Sequence, residues 1–281
     1  MKIVRTKNEL KSLLSGLDTS SGVGLVPTMG ALHEGHMSLV KKAFDENAIT
    51  VVSVFVNPTQ FDNNDDLEKY PRTLDADIEL LKQISDEIII FAPSVSNIYP
   101  DGQYSETYDF KGLDQVMEGA FREGHYNGVA TIVEKFLNLV EPTKAYFGEK
   151  DFQQLLIIKN LVALKKIPVE IIGCPIVREE NGLARSSRNE RLSKKMRDEA
   201  SFIHSTLSEA KNKFEKMSAN KVLAWGKKQF EKHPDLDLEY LNIAEASTLK
   251  LTKRKKPKTK YMLFIAVYAE GIRLIDNIVL N

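Results

Sequence analysis

Two histidines, His33 and His36, lie three residues apart in segment 25–40, where an apolar strand pattern gives way to a helical pattern. Residues at positions i and i+3 share one face of a helix, so both imidazoles can point at a single ligand. Gly35 between them has no side chain, which lets a ligand approach the backbone closely. The first turn of a helix also offers N–H groups and a positive dipole end to phosphate. The spacing therefore favours a site for nucleotide phosphates.

The two histidines have two other interpretations. A zinc site needs three or four protein ligands. The pattern here is His-Glu-x-His rather than His-Glu-x-x-His, and the single cysteine, Cys174, is distant in the sequence. Incidental histidines at the start of a surface helix are the other alternative. Further polar segments along the chain strengthen the phosphate interpretation over both.

Composition describes an ordinary globular protein. The chain has 281 residues, of which 42% are hydrophobic and 28% charged, and its 39 basic and 39 acidic residues balance. This balance predicts neither a nucleic-acid partner nor an anionic membrane surface. No apolar run approaches the roughly 18 residues of a membrane helix, and the N-terminus has no signal-peptide core. One cysteine excludes an internal disulfide and fits a reducing compartment, so we expect a cytoplasmic protein.

The elements that must position these histidines alternate between strand and helix as far as Cys174. Strand patterns cover 22–26, 49–56, 88–91, 145–147 and 169–174. One helix pattern follows the capping-box pair Thr6 and Glu9, and another follows the two histidines. Further helix patterns cover 74–84 and 152–164, and one begins at 127. This alternation predicts an α/β domain, a Rossmann-like doubly wound parallel sheet. Ligands collect beyond the carboxyl ends of such strands. The polar loops after Val26, Val56 and Phe147 all lie at such ends, so one fold would bring them together.

The pattern changes near Pro175. Two amphipathic helices within 194–233 precede strand patterns at 238–243, 261–268 and 272–278. Helices followed by strands predict a smaller C-terminal α+β domain, so we expect domains at 1–175 and 176–281. The basic run 253–260 has no interleaved aromatic residue, which favours a solvated hairpin loop over a nucleic-acid patch.

Polar clusters mark four further positions. They are Asn57 with Gln60 and Phe61, the segment 122–128 with His125, the segment 148–154 with Lys150 and Gln154, and the segment 184–189 with its serines and arginines. An amide pair can bind a small hydroxylated or carboxylated substrate. Lysine, arginine and hydroxyl groups suit a triphosphate whose charge grows during phosphoryl displacement. Each cluster alone could equally be a helix cap or a surface ion pair.

Five blocks of the sequence, in order and over almost the whole chain, resemble the pantoate–β-alanine ligase (pantothenate synthetase) family. They are 27–36 (Pro-Thr-Met-Gly-Ala-Leu-His-Glu-Gly-His), 55–61 (Phe-Val-Asn-Pro-Thr-Gln-Phe), 70–73 (Tyr-Pro-Arg-Thr), 147–154 and 186–189 (Ser-Ser-Arg-Asn). The resemblance implies a fold of the His-x-Gly-His nucleotidylyltransferase type. It also implies a ligase that first joins ATP and D-pantoate into pantoyl adenylate and pyrophosphate. β-Alanine then attacks the adenylate, which releases pantothenate and AMP. Mg²⁺ and a homodimer are implied as well.

The same resemblance implies roles for individual residues, most of which lie within these blocks. The implied catalytic residues are His33, His36, Lys150 and Arg188. The implied ATP-binding residues are Pro27, Thr28, Met29, Gly30, His33, His36, Gly148, Lys150, Asp151, Val177, Ser186, Ser187 and Arg188. The implied pantoate-binding residues are Met29, Asn57, Gln60 and Gln154. The metal ligands are unknown, with Asp75 and Asp77 as the candidates.

Some positions depart from the family pattern or stay open. Arg185 stands where the family usually has an apolar residue before Ser-Ser-Arg-Asn, and it can contact phosphate or point to solvent. The roles of Arg122 and His125 are also open. The loop with Ser186 is expected at a hinge, from which the second domain could close over ATP. Two rival hypotheses remain. A nucleotidylyltransferase with a phosphorylated acceptor should offer basic residues for the acceptor phosphate, where this chain has the neutral Asn57 and Gln60. The other rival is a non-catalytic nucleotide-binding module.

Overall fold

The structure, a computed structural model, describes residues 1–281 apart from the side chain of residue 64. The chain forms two compact units: Met1–Glu149 with Gln153–Pro175, and Lys150–Phe152 with Ile176–Asn281. Within the described part of the chain, no helix has the length and apolar character needed to cross a membrane.

The strands and helices follow one another in the order expected for two successive folds. The strands are β1 (Lys2–Val4), β2 (Val23–Thr28), β3 (Ile49–Val54), β4 (Ile89–Phe91), β5 (Lys144–Gly148), β6 (Glu170–Cys174), β7 (Leu236–Glu245), β8 (Tyr261–Ala269) and β9 (Ile272–Val279). The α-helices are α1 (Lys7–Ser15), α2 (Glu34–Glu46), α3 (Asn64–Lys69), α4 (Leu74–Lys82), α5 (Val95–Ile98), α6 (Glu118–Phe121), α7 (His125–Val140), α8 (Phe152–Lys165), α9 (Lys194–Glu199), α10 (Ser201–Lys216) and α11 (Ala219–Phe230). Short 3₁₀ helices cover Pro58–Gln60, Glu149–Asp151 and Ser187–Arg191.

The first unit contains a parallel sheet with strand order β1-β4-β3-β2-β5-β6. The chain moves from β2 outward to β4 and then crosses to β5 and β6, so the strand order reverses between β2 and β5. Such a switch point opens a crevice at the carboxyl ends of the strands. β2 pairs with β5 at Gly24 and Leu25, and the two strands continue past this pairing to Thr28 and Gly148. The predicted doubly wound sheet is confirmed.

Continuous apolar runs explain why the central strands lie in the middle of the sheet. Leu25 and Val26 in β2, and Val51 and Val52 in β3, are fully buried. Successive side chains of a strand point to opposite faces of the sheet. When helices cover both faces, every side chain of the strand is buried, so the strand must be apolar throughout. The capping box at the start of α1 is also confirmed. Thr6 Oγ1 accepts a hydrogen bond from the Glu9 nitrogen at 3.2 Å, and Glu9 Oε2 accepts one from the Thr6 nitrogen at 3.0 Å.

Differences from the sequence-based expectations are confined to short or irregular segments. The edge strand β1 was not expected, because three residues with a single buried side chain give no detectable period. β3 ends at Val54, and the next residues turn toward the 3₁₀ helix Pro58–Gln60. α7 begins at His125, two residues before the expected start, with Gly124 in the left-handed conformation (φ 72°) as its N-cap.

The second unit packs helices against an antiparallel sheet of order β7-β8-β9. β8 is buried along almost its whole length. The cores of α10 and α11, with Leu207, Phe214 and Val222, belong to the same apolar cluster as β8 residues such as Ile265. The predicted C-terminal α+β fold is confirmed. The basic run 253–260 lies in the connection between β7 and β8 and is mostly exposed, as expected for a hairpin loop.

Candidate functional site

The loop after β2 is tied to the neighbouring strand at its first residues. Thr28 Oγ1 donates to the Ser53 carbonyl oxygen at 2.7 Å, and the Gly30 nitrogen donates to Thr28 Oγ1 at 3.1 Å. Gly30 has φ 79°, and a Cβ there would lie 2.9 Å from Asp77 Oδ2 and 2.9 Å from Val54 Cγ1. A larger residue would therefore be strained and crowded at this position. The loop conformation requires glycine here.

Asp77 in α4 holds the same loop from the other side. Its carboxylate accepts hydrogen bonds from the backbone nitrogens of Ala31 at 3.0 Å and Leu32 at 2.8 Å. Thr73 Oγ1 donates to Asp77 Oδ1 at 3.3 Å. Burial raises the pKa of Asp77 and outweighs the two backbone hydrogen bonds, which lower it. The side chain therefore positions the residues just before His33.

The predicted metal candidates have different environments. Asp77 is 1% exposed and bonded to protein donors, whereas Asp75 is exposed to solvent. Among the residues that the structure describes, no group of three or more His, Cys, Asp or Glu side chains could hold a metal ion. A protein cage for a metal is therefore not formed by the described side chains.

The two histidines of the loop lie together at the start of α2. His33 is the N-cap, and its Nδ1 accepts a hydrogen bond from the Gly35 nitrogen at 3.1 Å. Because Nδ1 acts as an acceptor, a neutral His33 has its proton on Nε2, which is then a donor. The ring centroids of His33 and His36 are 4.1 Å apart with a 32° tilt. The shared face predicted from their spacing is present.

The amide pair forms a buried network at the end of β3. Asn57 Nδ2 donates to Gln60 Oε1 at 3.1 Å and to the Gly128 carbonyl oxygen at 3.1 Å. Tyr99 donates its hydroxyl proton to Asn57 Oδ1 at 2.8 Å. These bonds orient the Gln60 amide, whose Nε2 contacts Met29 Sδ at 3.1 Å. Since a thioether is a weak acceptor, a substrate oxygen would be a better partner for that N–H.

His125 supports the backbone of the same segment. Its Nε2 lies 3.0 Å from Arg122 Nη1, and its Nδ1 lies 2.7 Å from the Gln60 carbonyl oxygen. Arginine can only donate, so Nε2 accepts and Nδ1 donates. Arg122 Nε also lies 3.8 Å from Asp62 Oδ1. His125 thus contacts the Gln60 backbone directly, and Arg122 lies against His125 and Asp62 beside it.

A close helix contact completes this arrangement. A Cβ on Gly128 would lie 2.2 Å from the Thr59 carbonyl oxygen and 2.7 Å from Gln60 Cα. Only a residue without a side chain permits α7 to approach the 3₁₀ helix so closely. The glycine therefore allows α7 to lie against the backbone that carries Gln60.

In the second unit, a hairpin leads into the segment predicted to bind triphosphate. Arg178 pairs with Ala184 as an antiparallel bridge, and the Arg185 nitrogen donates to the Val177 carbonyl oxygen at 2.9 Å. Ser186 then caps the 3₁₀ helix Ser187–Arg191, since its Oγ accepts from the Arg188 nitrogen at 3.3 Å. The predicted residues Val177, Ser186, Ser187 and Arg188 are all half-buried.

Glu179 organises this hairpin. Its Oε1 accepts from Asn189 Nδ2 at 2.7 Å and from Arg185 Nη1 at 3.1 Å. Arg197 adds bonds of 2.8 Å and 3.0 Å. Burial raises the pKa of Glu179, but the hydrogen bonds from Arg197, Asn189 and Arg185 outweigh it, so the net pKa is lowered. The unusual Arg185 therefore has a structural partner in its own hairpin.

The residues of segment 148–154 that were predicted to bind substrates fall in both units. Gly148 ends β5, and a Cβ there would meet no atom of the described residues within 4 Å. Gln154 is half-buried in the first turn of α8. Lys150 and Asp151 belong to the second unit, where Asn277 Nδ2 donates to the Lys150 carbonyl oxygen at 2.9 Å. The Phe152 ring lies 6.0 Å from that of Phe264.

Residues 2–279 match the family model described as pantoate-beta-alanine ligase. The chain belongs to the pantoate–β-alanine ligase family. It is 51% identical to the pantothenate synthetase of Christiangramia forsetii over 282 residues, with all of both chains covered. It is 48% identical to the pantothenate synthetase of Bacteroides thetaiotaomicron, covering 99% of this chain and 98% of that protein. The resemblance inferred from the five blocks is confirmed.

Solved structures of the pantoate–β-alanine ligase family have the same fold. Pantothenate synthetase from Thermus thermophilus matches with a TM-score of 0.91 at 39% identity, covering 100% of this chain and 99% of that chain. Pantoate-beta-alanine ligase from Francisella tularensis, complexed with beta-gamma ATP and beta-alanine, matches with a TM-score of 0.77 at 34% identity. That match covers 100% of this chain and 98% of the Francisella chain.

Within the pantoate–β-alanine ligase fold, several positioning side chains were missed by the sequence-based argument. They are Asp77 in its loop-holding role, Tyr99, Glu179, Asn189 and Asn277. A carboxylate in the first turn of a helix, or an asparagine inside a motif, is too common to indicate such a role. Cys174 is buried, and burial raises the pKa of its thiol to about 11. That pKa gives little thiolate for nucleophilic chemistry.

Proposed function

We propose that the chain condenses D-pantoate with β-alanine to form pantothenate at the expense of ATP, through a pantoyl adenylate. The family supports the overall reaction. The observation that weighs most is the buried amide network, in which Asn57 orients Gln60 toward Met29 at the start of the loop that leads to His33. A nucleotide-binding module without catalysis would have no reason to build a second, neutral polar site for an organic acid.

The chemistry requires activation of a carboxylate. A pantoate carboxylate oxygen attacks the α-phosphorus of ATP, the bond to the bridging oxygen breaks, and pyrophosphate leaves. The resulting mixed anhydride has AMP as its leaving group. The β-alanine amine then attacks the acyl carbon, loses a proton, and expels AMP as the amide forms. Positioning and charge stabilisation supply most of the acceleration in such displacements.

In the first unit, the proposed ATP contacts lie around the end of β2. His33 donates from Nε2 to phosphate oxygen, and His36 beside it stabilises charge that develops at the α-phosphorus. Pro27, Thr28, Met29 and Gly30 form the wall of the nucleotide site. Gly148 permits close approach of the nucleotide to the backbone, which agrees with the open space around its Cα.

The second unit supplies the other proposed nucleotide contacts. Lys150 and Arg188 bind the triphosphate as cations, with Arg188 suited to bidentate contact. Ser186 and Ser187 donate from hydroxyl or backbone groups. Asp151 binds the ribose region, and Val177 contacts the nucleotide. We also retain the proposal that this unit, with the Ser186 loop at a hinge, closes over ATP.

Pantoate binding is assigned to the amide side chains. Gln60 and Gln154 donate to the hydroxyl and carboxylate oxygens of pantoate, Asn57 orients Gln60, and Met29 lines the same cavity. The Gln60 N–H now directed at Met29 Sδ is the donor that the acid would capture. Neutral donors suit an unphosphorylated acid and distinguish this site from one for a phosphorylated acceptor.

The proposed Mg²⁺ enters with ATP. Magnesium is usually held by substrate phosphates, water and at most one or two carboxylates. The side chains here fit a magnesium ion held mainly by the ATP phosphates. The Asp77 carboxylate is already bonded to the backbone, and the described residues form no carboxylate cage. When bound, the ion neutralises charge on the phosphates. A cytoplasmic location and a homodimer also remain predictions, and light scattering of the purified protein would test the dimer.

The deciding experiment measures AMP and pyrophosphate release from MgATP with D-pantoate and β-alanine, supplied singly and together. We expect strong AMP formation only with both acids, and pantoate-dependent exchange of labelled pyrophosphate into ATP. ATP consumption with a phosphorylated acceptor, and none with the two acids, would instead support a nucleotidylyltransferase.

A further inference from the structure

Two consecutive residues of β9, Asp276 and Asn277, contact two separate segments of the second unit. Asp276 accepts a bidentate pair from Arg178, with Nη1 to Oδ2 at 2.6 Å and Nη2 to Oδ1 at 3.0 Å. Asn277 Nδ2 donates to the Lys150 carbonyl oxygen at 2.9 Å. Both side chains are 4% exposed. These two residues therefore bind both Arg178, in the hairpin that precedes Ser186, and the backbone of Lys150.

Strand geometry makes this double contact rigid. Successive side chains of a strand point to opposite faces of the sheet, so Asp276 and Asn277 reach in opposite directions from adjacent Cα atoms. The Asn277 nitrogen also donates to Asp276 Oδ1 at 2.7 Å, which fixes the carboxylate orientation. β9 pairs with β8 along its whole length, including Asp276 with Ile265 and Asn277 with Phe264. The dipeptide is thus anchored in a sheet, beside the buried strand β8.

The hairpin links Arg178 to the loop that begins at Ser186. Arg178 Nη1 also donates to the Gly182 carbonyl oxygen at 3.1 Å, which closes the hairpin turn. The Arg178 backbone bridges Ala184, two residues before Ser186. Asp276 therefore sets the position of the hairpin strand that leads into Ser186–Arg188, while Asn277 sets the backbone position of Lys150.

We propose that Asp276 and Asn277 are positioning residues that fix the spacing between Lys150 and the Ser186–Arg188 loop for binding the triphosphate of ATP. The proposal rests on the proposed function for the assignment of Lys150 and this loop to ATP. A polyphosphate bound by two cationic segments requires both at a set separation, and an error of about 1 Å can cost a hundredfold in rate. Neither residue touches substrate in this role.

The chain offers a control with the same bond type as Asn277, at an exposed position. Asn281 Nδ2 donates to the Thr259 carbonyl oxygen at 2.9 Å, the same bond type and length in the same unit. Asn277→Asp and Asn281→Asp each replace the donor by an acceptor of equal size. Asn277→Ala is a second variant in case the new carboxylate prevents folding, and Asp276→Asn tests the other half of the dipeptide.

The experiment measures the KM values for ATP, pantoate and β-alanine, kcat, and the Kd of a non-hydrolysable ATP analogue. We expect the Asn277 and Asp276 variants to raise the KM and Kd for the nucleotide about tenfold or more, with the KM values for both acids within about twofold. Asn281→Asp should leave nucleotide binding unchanged. Nucleotide affinity equal to wild type in folded Asn277 variants, or an equal loss in Asn281→Asp, would overturn the proposal. Wild-type protein that binds the analogue but forms no pantothenate would refute the proposed function and leave this binding test intact.

Discussion

The carboxylate of Asp77 accepts a 2.8 Å hydrogen bond from the backbone nitrogen of Leu32, the residue directly before His33. A second bond comes from Ala31 at 3.0 Å. An acidic residue of α4 therefore fixes the loop from which the proposed phosphate-binding histidines begin. The same carboxylate was a candidate metal ligand on sequence grounds, so its two possible roles lead to different experimental outcomes.

Replacing Asp77 by alanine separates these roles. Asp77→Ala leaves the half-buried Ala31 N–H and the buried Leu32 N–H without their acceptor, which should cost about 2 kcal/mol in the free energy of unfolding. We also expect a higher KM for ATP, because the His33 loop loses its support. Denaturant unfolding and steady-state kinetics measure the two effects.

Asp75→Ala is the matched control for Asp77→Ala, since Asp75 is exposed on the same helix. Its unfolding free energy should stay within about 0.5 kcal/mol of wild type. If Asp75→Ala raised the Mg²⁺ concentration needed for half-maximal activity while Asp77→Ala did not alter the KM for ATP, the positioning role would be wrong and a metal role favoured.

Glycine substitutions test the proposed approach of the nucleotide to β5. Gly148→Ala adds a methyl group into space that no described residue occupies within 4 Å, so the unfolding free energy should change by less than about 1 kcal/mol. If ATP approaches this backbone, its KM should rise about tenfold. An unchanged KM would remove Gly148 from the nucleotide site.

Gly128→Ala, unlike Gly148→Ala, should destabilise the fold. Its Cβ would lie 2.2 Å from the Thr59 carbonyl oxygen, and such overpacking costs about 1–3 kcal/mol or more. Because the displaced segment holds Gln60, the KM for pantoate should rise more than the KM for ATP. Thermal unfolding and kinetics with each substrate varied in turn would measure this, and a selective effect on ATP would contradict it.

Two substitutions of His33 distinguish helix capping from phosphate binding. His33→Asn keeps a side-chain oxygen that can accept from the Gly35 nitrogen, whereas His33→Ala should lose about 1 kcal/mol of stability with the cap. Both lack the Nε2 donor, so we expect kcat to fall about a hundredfold or more in both. Recovery of wild-type turnover in His33→Asn would limit the residue to capping.

The Glu179 network predicts acid sensitivity. Its pKa is below the ordinary value of 4.5 because the hydrogen bonds from Arg197, Asn189 and Arg185 outweigh burial. A lowered folded-state pKa gives stability that is present above the unfolded-state pKa and lost as pH falls through the folded-state value. The difference in unfolding free energy between wild type and Glu179→Gln should therefore be largest near pH 6 and should shrink below about pH 4.5. A difference that stays constant down to pH 3 would show that the charge contributes nothing.

Much of the fold could be predicted because its determinants are local in sequence. Continuous apolar runs identified the central parallel strands, and the Thr6–Glu9 capping box identified the start of α1. The edge strand β1 and the start of α7 at His125 could not be predicted in the same way. Both depend on partners distant in the chain, namely β4 for β1 and the Gln60 carbonyl oxygen for His125.

The candidate site shows the same division. Histidine spacing predicted a shared face, and the rings of His33 and His36 are adjacent. The supports of the site could not be found from the sequence, because a buried asparagine or carboxylate reveals its role only through its partner. Asn277 bonds a carbonyl oxygen 127 positions away, and Asp77 bonds a loop 45 positions away.

The path of the chain through Lys150 limits where the protein can be divided into fragments or recombined. The backbone passes from the first unit into the second at Lys150, returns at Gln153, and leaves again at Ile176. A gene fragment that ends at Pro175 would therefore separate Lys150 from its hydrogen-bond partner on β9. Recombination between homologous genes at that boundary would join a lysine segment from one parent to a β9 strand from the other. Functional chimaeras should accordingly keep both segments from a single parent.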